Sequence, residues 1–192
     1  MKTFKLILPY FFLIIITGCD IFEVRDPENP SDTKSNYRVP VDPKGVIQNM
    51  IYAFSDRNAD DYKKNFAAGP PEVDRYFFFA PSGNVLSSFP SDWSTEQEFQ
   101  YFNNLVARTP QDIPISLSFS NEFYDIKADS AIYSADYSIS VPVLNSEASV
   151  YGGSIKFSMT TDIYSAWVVY YWEDIAKVGV KSWSELKIEF FL

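Results

Sequence analysis

The C-terminal half of this sequence alternates apolar and polar residues with a period of two, and this pattern most limits the possible fold. Apolar residues alternate with serine, threonine or charged residues in the stretches 115–119, 131–141, 155–159 and 186–190. Such alternation is typical of antiparallel strands with one buried and one polar face. A fifth stretch, 166–172, is apolar throughout, which predicts a central strand that is covered on both faces or lines a cavity. We therefore expect a meander of strands joined by short turns.

The first half of the chain has helical spacing instead. Asp42 precedes a proline and a set of apolar residues spaced three and four apart, which predicts a helix that continues to Phe54. A second short helix is expected over 59–66, and a third begins near Ser94, where a glutamine three residues later gives the spacing of a capping box. The aromatic stretch 73–80 between them predicts a strand.

The composition excludes several classes of site. The 192 residues include no histidine and one cysteine, so a Ser-His-Asp triad, an imidazole metal ligand, an internal disulfide and a thiolate zinc site are all excluded. The net charge of -9 argues against nucleic acid as a partner, because binding to phosphates requires a basic surface. We accordingly predict no metal and no cofactor.

The N-terminus has the pattern of an export signal. Two lysines within the first five residues precede an uncharged stretch at 6–16, which is too short to span a bilayer that takes roughly 20 residues. It ends in Ile-Thr-Gly18-Cys19, which resembles the lipobox of bacterial lipoproteins. We expect residues 1–18 to be a lipoprotein signal peptide, cleaved between Gly18 and Cys19, and Cys19 to carry diacylglycerol and palmitate. The alternative is an ordinary apolar stretch with a buried cysteine.

This interpretation predicts the organisation of the rest of the chain. Residues 19–41 contain three prolines and many Asp, Asn and Ser residues, and are expected to be a tether. Alternatively, apolar side chains of this segment, Tyr37 among them, pack on the domain. Residues 42–192 then form a single domain, anchored through Cys19 to the bacterial cell membrane or the outer membrane. Asp20 resembles an inner-membrane retention signal of enteric bacteria, but other phyla use other rules, so membrane and leaflet stay open.

The order of helix, helix, strand, helix and strand meander resembles the nuclear-transport-factor-2-like fold, which is shared with polyketide cyclases of the SnoaL type. The strings that resemble a group of uncharacterised bacterial lipoproteins with this fold are 51–54, Arg57-Asn58, Asp61-Tyr62, 92–94 with Glu96, Trp167, Trp172, Asp174 and 182–187. The sequence departs from that pattern at Ser184, where a glycine is expected. The resemblance implies an α+β fold, with helices packed on a curved, mostly antiparallel sheet (a cystatin-like cone), and it implies no particular reaction.

A cone of this kind leaves a hollow at its wide end, and a hollow with an apolar lining and a few polar groups is the default ligand site. Aromatic side chains on alternating positions of the predicted strands either fill the core or direct their polar ends into that hollow. An arginine on the 73–80 strand either reaches solvent at the rim or balances an acid inside. The possible pocket residues are Arg75, Phe77, Tyr133, Tyr137, Tyr170 and Trp172.

We therefore expect a non-catalytic, lipid-anchored envelope protein that binds a small apolar or aromatic molecule in the cone. A first alternative is a protein-interaction module that forms a homodimer through the sheet. A second is an isomerase or dehydratase, which would need a buried carboxylate beside a tyrosine. Asp56, Asp125, Asp162 and Asp174 are predicted at element ends within reach of water, and Asp136 on a polar face, so no catalytic residue is predicted.

Overall fold

The computed structural model describes residues 35–191, and nearly all of them fall within the predicted domain. The predicted signal peptide, with Gly18 and Cys19, and residues 19–34 of the predicted tether lie outside the described residues. No helix within 35–191 is long and apolar enough to span a membrane. The elements, in chain order, are α1 (Pro43–Asp56), α2 (Ala59–Lys63), β1 (Phe78–Ala80), a short 3-10 helix (Leu86–Ser88), α3 (Thr95–Arg108), β2 (Ser116–Lys127), β3 (Ser130–Val141), β4 (Ser149–Thr161), β5 (Trp167–Ala176) and α4 (Trp183–Phe191).

The strands form one open sheet in the order β1-β5-β4-β3-β2. Strands β2 to β5 pair antiparallel with their neighbours in the chain, so the predicted meander is confirmed, and β1 adds to β5 in parallel. One row of paired residues crosses all five strands and consists only of aromatic side chains, here called the aromatic row: Phe79, Trp172, Phe157, Tyr133 and Tyr124.

The helices cover one face of the sheet, here called the inner face. The Trp183 ring of α4 lies 4.6 Å from that of Trp172 in the aromatic row, and the Phe54 ring of α1 lies 5.6 Å from that of Trp183. Phe102 of α3 packs 4.8 Å from Phe54, and Tyr62 stacks on Phe102 at 4.1 Å. All five side chains are completely buried. Aromatic packing between the three longer helices and the sheet therefore forms one continuous core.

The predicted helix starts are confirmed. The Asp42 carboxylate accepts a hydrogen bond from the Gly45 amide at 2.8 Å, and Ser94 and Gln97 form the predicted capping box at the start of α3. The second helix is shorter than predicted, because the chain leaves α2 after Lys63 and Phe66 forms a bridge to β5. The predicted strand at 73–80 is also shortened, since only its last three residues pair with β5.

The prediction of a strand at 186–190 is wrong, because these residues belong to α4. The first three amides of α4, which have no partner within the helix, each donate to an acceptor elsewhere in the structure. The Trp183 amide donates to the Tyr137 hydroxyl at 2.6 Å, the Ser184 amide to Asp174 at 2.8 Å and the Glu185 amide to the hydroxyl of the preceding serine at 3.3 Å. An apolar stretch this short fits both periods, and the capping interactions decide for the helix.

The segment 35–41 lies against the domain. The Arg38 backbone exchanges two hydrogen bonds with the Asn49 side chain of α1, at 3.1 and 2.7 Å. The Pro40 carbonyl accepts a hydrogen bond from the Trp167 amide of β5 at 2.9 Å. Tyr37 lies beneath the Lys64 ammonium, 4.8 Å from ring centroid to Nζ. The last residues before α1 are therefore part of the folded structure.

Gly153 of β4 allows the Tyr137 side chain to cross the inner face. A Cβ atom at this position would lie 2.6 Å from both the Tyr137 hydroxyl and the Ile175 carbonyl oxygen. We expect Gly153→Ala to destabilise the protein by about 1–3 kcal/mol, the usual cost of overpacking, although alanine is otherwise preferred to glycine within a strand. The measurement is the free energy of unfolding from chemical denaturation.

Gly83→Ala is the matched control, because a Cβ atom there meets no atom within 4 Å. Its effect should stay within about 0.5 kcal/mol. Equal stability of the two variants would show that Tyr137 and the backbone adjust without cost.

Candidate functional site

Four of the six predicted pocket residues, Phe77, Tyr133, Tyr137 and Trp172, are buried on the inner side of the sheet. They are packed against other aromatic rings at centroid distances of 4.6–6.0 Å, and of the four only Phe77 lines one of the described cavities. The interior of the cone is therefore occupied by side chains at the places where the sequence predicted a ligand.

The other two predicted residues, Arg75 and Tyr170, lie outside this core and against each other, with the guanidinium carbon 4.5 Å from the ring centroid. Alternation would place Tyr170 on the same face as Trp172. A bulge in β5 interrupts the register, so Tyr170 has no partner in β4 and lines a small notch with Ile132 and Ser158 on the outer face. Arg75 is exposed because the chain before β1 is not a strand.

The interior contains an ion pair. Lys187 Nζ of α4 lies 2.5 Å from Glu98 Oε2 of α3, and both side chains are fully buried. Glu98 also accepts hydrogen bonds from the Tyr62 hydroxyl and from the Trp93 indole N–H, each at 2.6 Å. The carboxylate thus has three donors, which is the condition under which a buried charge is tolerated.

Aromatic rings surround the ammonium group of Lys187. Its Nζ atom is 3.5 Å from the centroid of the Trp172 ring and 3.7 Å from that of Phe79. These rings replace part of the lost hydration through cation–π attraction. Burial lowers the pKa of Lys187 to about 8, while the Glu98 carboxylate acts in the opposite direction. Burial and the same carboxylate raise the pKa of Tyr62 well above its ordinary value. The phenol therefore stays protonated and donates a hydrogen bond to Glu98.

A second buried carboxylate, Asp174 of β5, holds the start of α4. It accepts the Tyr137 hydroxyl at 2.7 Å, the Ser184 amide at 2.8 Å and the Ser184 hydroxyl at 2.5 Å. Ser184 in turn accepts a hydrogen bond from the Ser82 amide at 2.9 Å. The serine that replaces the glycine expected from the resemblance therefore has a defined role, since its hydroxyl connects β5, α4 and the chain after β1.

These two acids correct the sequence analysis, which placed Asp174 within reach of water and found no acid inside. Asp174 is 3% exposed and Glu98 is 0% exposed. A signal for Glu98 was present, because it precedes Tyr101, Phe102 and Leu105 with the spacing of one apolar helix face. Both carboxylates already accept three hydrogen bonds and therefore serve the fold.

On the described part of the molecule, open cavities lie away from these two acids. Two adjoining cavities of about 420 and 380 Å³ share Lys63, Ala68 and Thr95, and together are here called the α2–α3 groove. Neither is lined by Glu98, Asp174 or Lys187. The buried apolar residues that line the groove, its floor, are Phe66, Ala67, Val73, Phe77 and Val168.

The edge of the groove is charged. Lys63 pairs with Glu96 at 2.6 Å, and its ammonium lies 5.0 Å from the centroid of the Phe99 ring. Lys64 pairs with Asp61 at 2.7 Å. Phe77 is the one predicted pocket residue that lines the groove. The remaining lining residues come from five separate parts of the chain, so no local motif marks them.

The structure also bears on the predicted dimer through the sheet and on metal binding. The outer face of the sheet exposes Phe78, Phe123, Ile132, Val150 and Ile175, and a dimer through this face stays a prediction. Within residues 35–191, no group of three or more cysteine, histidine or acidic side chains is placed to hold a metal ion.

The buried ion pair gives a testable energetic prediction. We expect Lys187→Met and Glu98→Gln each to destabilise the protein by about 3–5 kcal/mol, because either change leaves one buried group without its partner. The double variant should lose at least about 1 kcal/mol less than the sum of the single losses. Chemical denaturation of all four proteins measures this coupling energy.

The exposed pair Lys181–Glu189, 3.2 Å apart, is the matched control, and its coupling energy should stay below about 1 kcal/mol. Additive losses at Lys187 and Glu98 would show that the two charges do not stabilise each other.

No protein-family model matches this chain, and no curated protein sequence matches it significantly. Solved structures do resemble it. A nuclear-transport-factor-2-like superfamily protein from Salmonella enterica serovar Typhimurium is 14% identical, with a TM-score of 0.51 over 70% of this chain and 89% of its own. A nuclear-transport-factor-2-like protein with a cystatin-like fold from Novosphingobium aromaticivorans is 10% identical, with a TM-score of 0.50 over 70% and 79%.

A third structure, from Streptomyces avermitilis, carries the provisional label of a dehydratase of the same family. It is 10% identical, with a TM-score of 0.51 over 70% of this chain and 93% of its own. At such low identity these likenesses show the fold alone. The described domain therefore has the nuclear-transport-factor-2-like, cystatin-like fold that the order of its elements predicted.

Proposed function

We propose that this chain is a lipid-anchored protein of the bacterial envelope whose domain binds a small, largely apolar molecule in the α2–α3 groove without transforming it. The anchor is supported by the sequence of residues 1–19, in which positive charge, apolar stretch, small residues and the only cysteine occur in the order of a lipoprotein signal. The binding function is supported by the geometry of the groove.

The groove supports binding better than the interior of the cone does. On the inner face, rings of the aromatic row contact each other and the helices, so a ligand there would have to displace packed side chains. In the groove, by contrast, open space lies above a buried apolar floor. The observation that carries the proposal is this pair of adjoining cavities, about 420 and 380 Å³, within the usual range of ligand pockets.

The proposal includes no catalytic step because the two buried carboxylates, Glu98 and Asp174, already accept hydrogen bonds within the protein. The isomerase or dehydratase alternative needs a carboxylate and a phenol that both reach a substrate. Tyr62 with Glu98 and Tyr137 with Asp174 each combine a phenol with a carboxylate. Both carboxylates, however, are buried and accept hydrogen bonds from protein donors. These pairs stabilise helices α3 and α4, and the enzymatic alternative stays a prediction.

Binding to the groove can be tested with the neutral apolar dye Nile red and the mature chain carrying Cys19→Ser, which removes any competing acyl chain. We expect saturable binding with an increase in fluorescence. Ala68 is exposed and shared by both cavities, so Ala68→Trp fills the groove and should weaken binding about ten-fold or more.

Ser138→Trp places the same side chain on the exposed outer face and is the control, with unchanged affinity expected. The proposal fails if the dye does not bind, or if both tryptophan variants bind it as the parent does.

The anchor has its own test. We expect the full chain, expressed in a bacterium that processes lipoproteins, to take up labelled palmitate and to fractionate with membranes. Cys19→Ser removes the thiol that accepts the lipid, so its label should fall to background. Cys19→Ala is a second variant that removes the thiol without introducing a hydroxyl. Equal labelling of the parent and both variants would contradict the lipoprotein assignment.

A further inference from the structure

We propose that the ligand of the α2–α3 groove is an amphiphilic amine, with an apolar body on the floor and an ammonium group at the acidic end. This inference rests on the proposed binding function and adds the chemical class of the ligand. It concerns the larger of the two groove cavities, which is lined by three carboxylates together with an aromatic ring at its wall.

The three carboxylates are Asp60, Glu72 and Asp162. None of them forms an ion pair with a lysine or arginine of the described part of the chain. One oxygen of Asp162 accepts the amides of Tyr164 and Ala166, each at 2.8 Å, and holds this carboxylate in place. The cavity therefore contains negative charge that the neighbouring side chains do not balance.

The two lysines of the cavity are already engaged. Lys63 is paired with Glu96, and Lys64 with Asp61, a residue that does not line the cavity. Each lysine therefore has an acidic partner other than the three carboxylates that form no ion pair. A cationic ligand would meet those carboxylates without having to break an existing ion pair.

The wall of the cavity already holds an ammonium group. The Tyr37 ring lies 4.8 Å from Lys64 Nζ, a distance typical of cation–π attraction. Burial raises the pKa of Tyr37, and so do the negative charges of Asp162 and Asp61. The field that disfavours a phenolate here favours a cation. Aromatic rings recognise alkylammonium groups in proteins, and here one lies at the wall of a cavity lined by three carboxylates.

The apolar floor of the cavity determines the chemistry of the uncharged part of the ligand. Phe66, Val73 and Val168 are 3–6% exposed and offer an apolar surface without a hydrogen-bond donor for a sugar or a phosphate. A carboxylate ligand would be repelled by the acidic end, and a neutral ligand would gain contact with the floor only. An alkyl or aryl amine satisfies both parts of the cavity.

The test compares three probes that share one alkyl chain, namely decylamine, decanol and decanoate, below their micelle concentrations at pH 7. Each displaces Nile red from the mature chain carrying Cys19→Ser. We expect decylamine to bind about ten-fold tighter than decanol, and decanoate to bind weaker than decanol. The advantage of the amine should diminish as salt is raised, because screening weakens attraction between exposed charges.

Three variants locate the effect. Asp60→Asn and Glu72→Gln should each weaken decylamine about three-fold or more and leave decanol unchanged. Glu147→Gln removes an exposed acid from the turn between β3 and β4 and should change neither affinity.

The outcomes separate the two proposals. Equal affinity of decanol and decylamine would overturn the amine assignment and leave ligand binding intact. Failure of all three probes and of Nile red to bind would overturn both. Equal losses in Glu72→Gln and Glu147→Gln would show a general effect of net charge, which also overturns the amine assignment.

Discussion

Burial of the aromatic row is the interaction on which the rest of this structure depends. Each of the five strands contributes one ring, and successive rings from Phe79 to Tyr124 lie 4.7–5.9 Å apart. Rings of this size remove about 150–250 Å² each from water, so a row of them provides a large share of the driving force for closing helices over the sheet. The same rings occupy the volume that a related fold could leave open. The stability of the domain and the filling of its centre by side chains, over the part of the chain that the structure describes, therefore have one cause.

Apolar burial does not by itself choose one arrangement of helices, because it has no direction. The hydrogen bonds and the ion pair of the buried polar groups, by contrast, are directional. Asp174 accepts three donors only when α4 begins at Trp183, and Glu98 meets Lys187 only when α3 and α4 pack in the observed register. We interpret these two networks as the contacts that select this packing among others of similar apolar area, at a cost in desolvation that the aromatic rings around Lys187 reduce.

The sequence predicted the parts of the fold that depend on periodicity. Strands β3 and β4, the caps of α1 and α3, and the antiparallel meander follow from spacing alone. It failed at 186–190, where a stretch of five residues is too short to separate the two periods, although Ser182 and Glu185 have the spacing of a capping box. The sequence also failed to predict the position of Tyr170, because a bulge in β5 moves this side chain to the other face of the sheet and no sequence pattern indicates the bulge. The candidate site was not predictable, since its lining is assembled from Tyr37, α2, the segment after it, the start of α3, and the β4–β5 turn with the start of β5.

The filled interior and the charged groove are related through electrostatics. Inside the domain Glu98 pairs with Lys187 and Asp174 accepts hydrogen bonds from uncharged donors, as the low dielectric requires, whereas one groove cavity is lined by three carboxylates that form no ion pair with a described lysine or arginine. In a chain with a net charge of -9, such an arrangement adds repulsion that folding does not need. Local arrangements that oppose stability are more frequent at sites of function than elsewhere. The groove therefore holds negative charges that the fold itself does not require. Binding of a cation there offsets the repulsion between them.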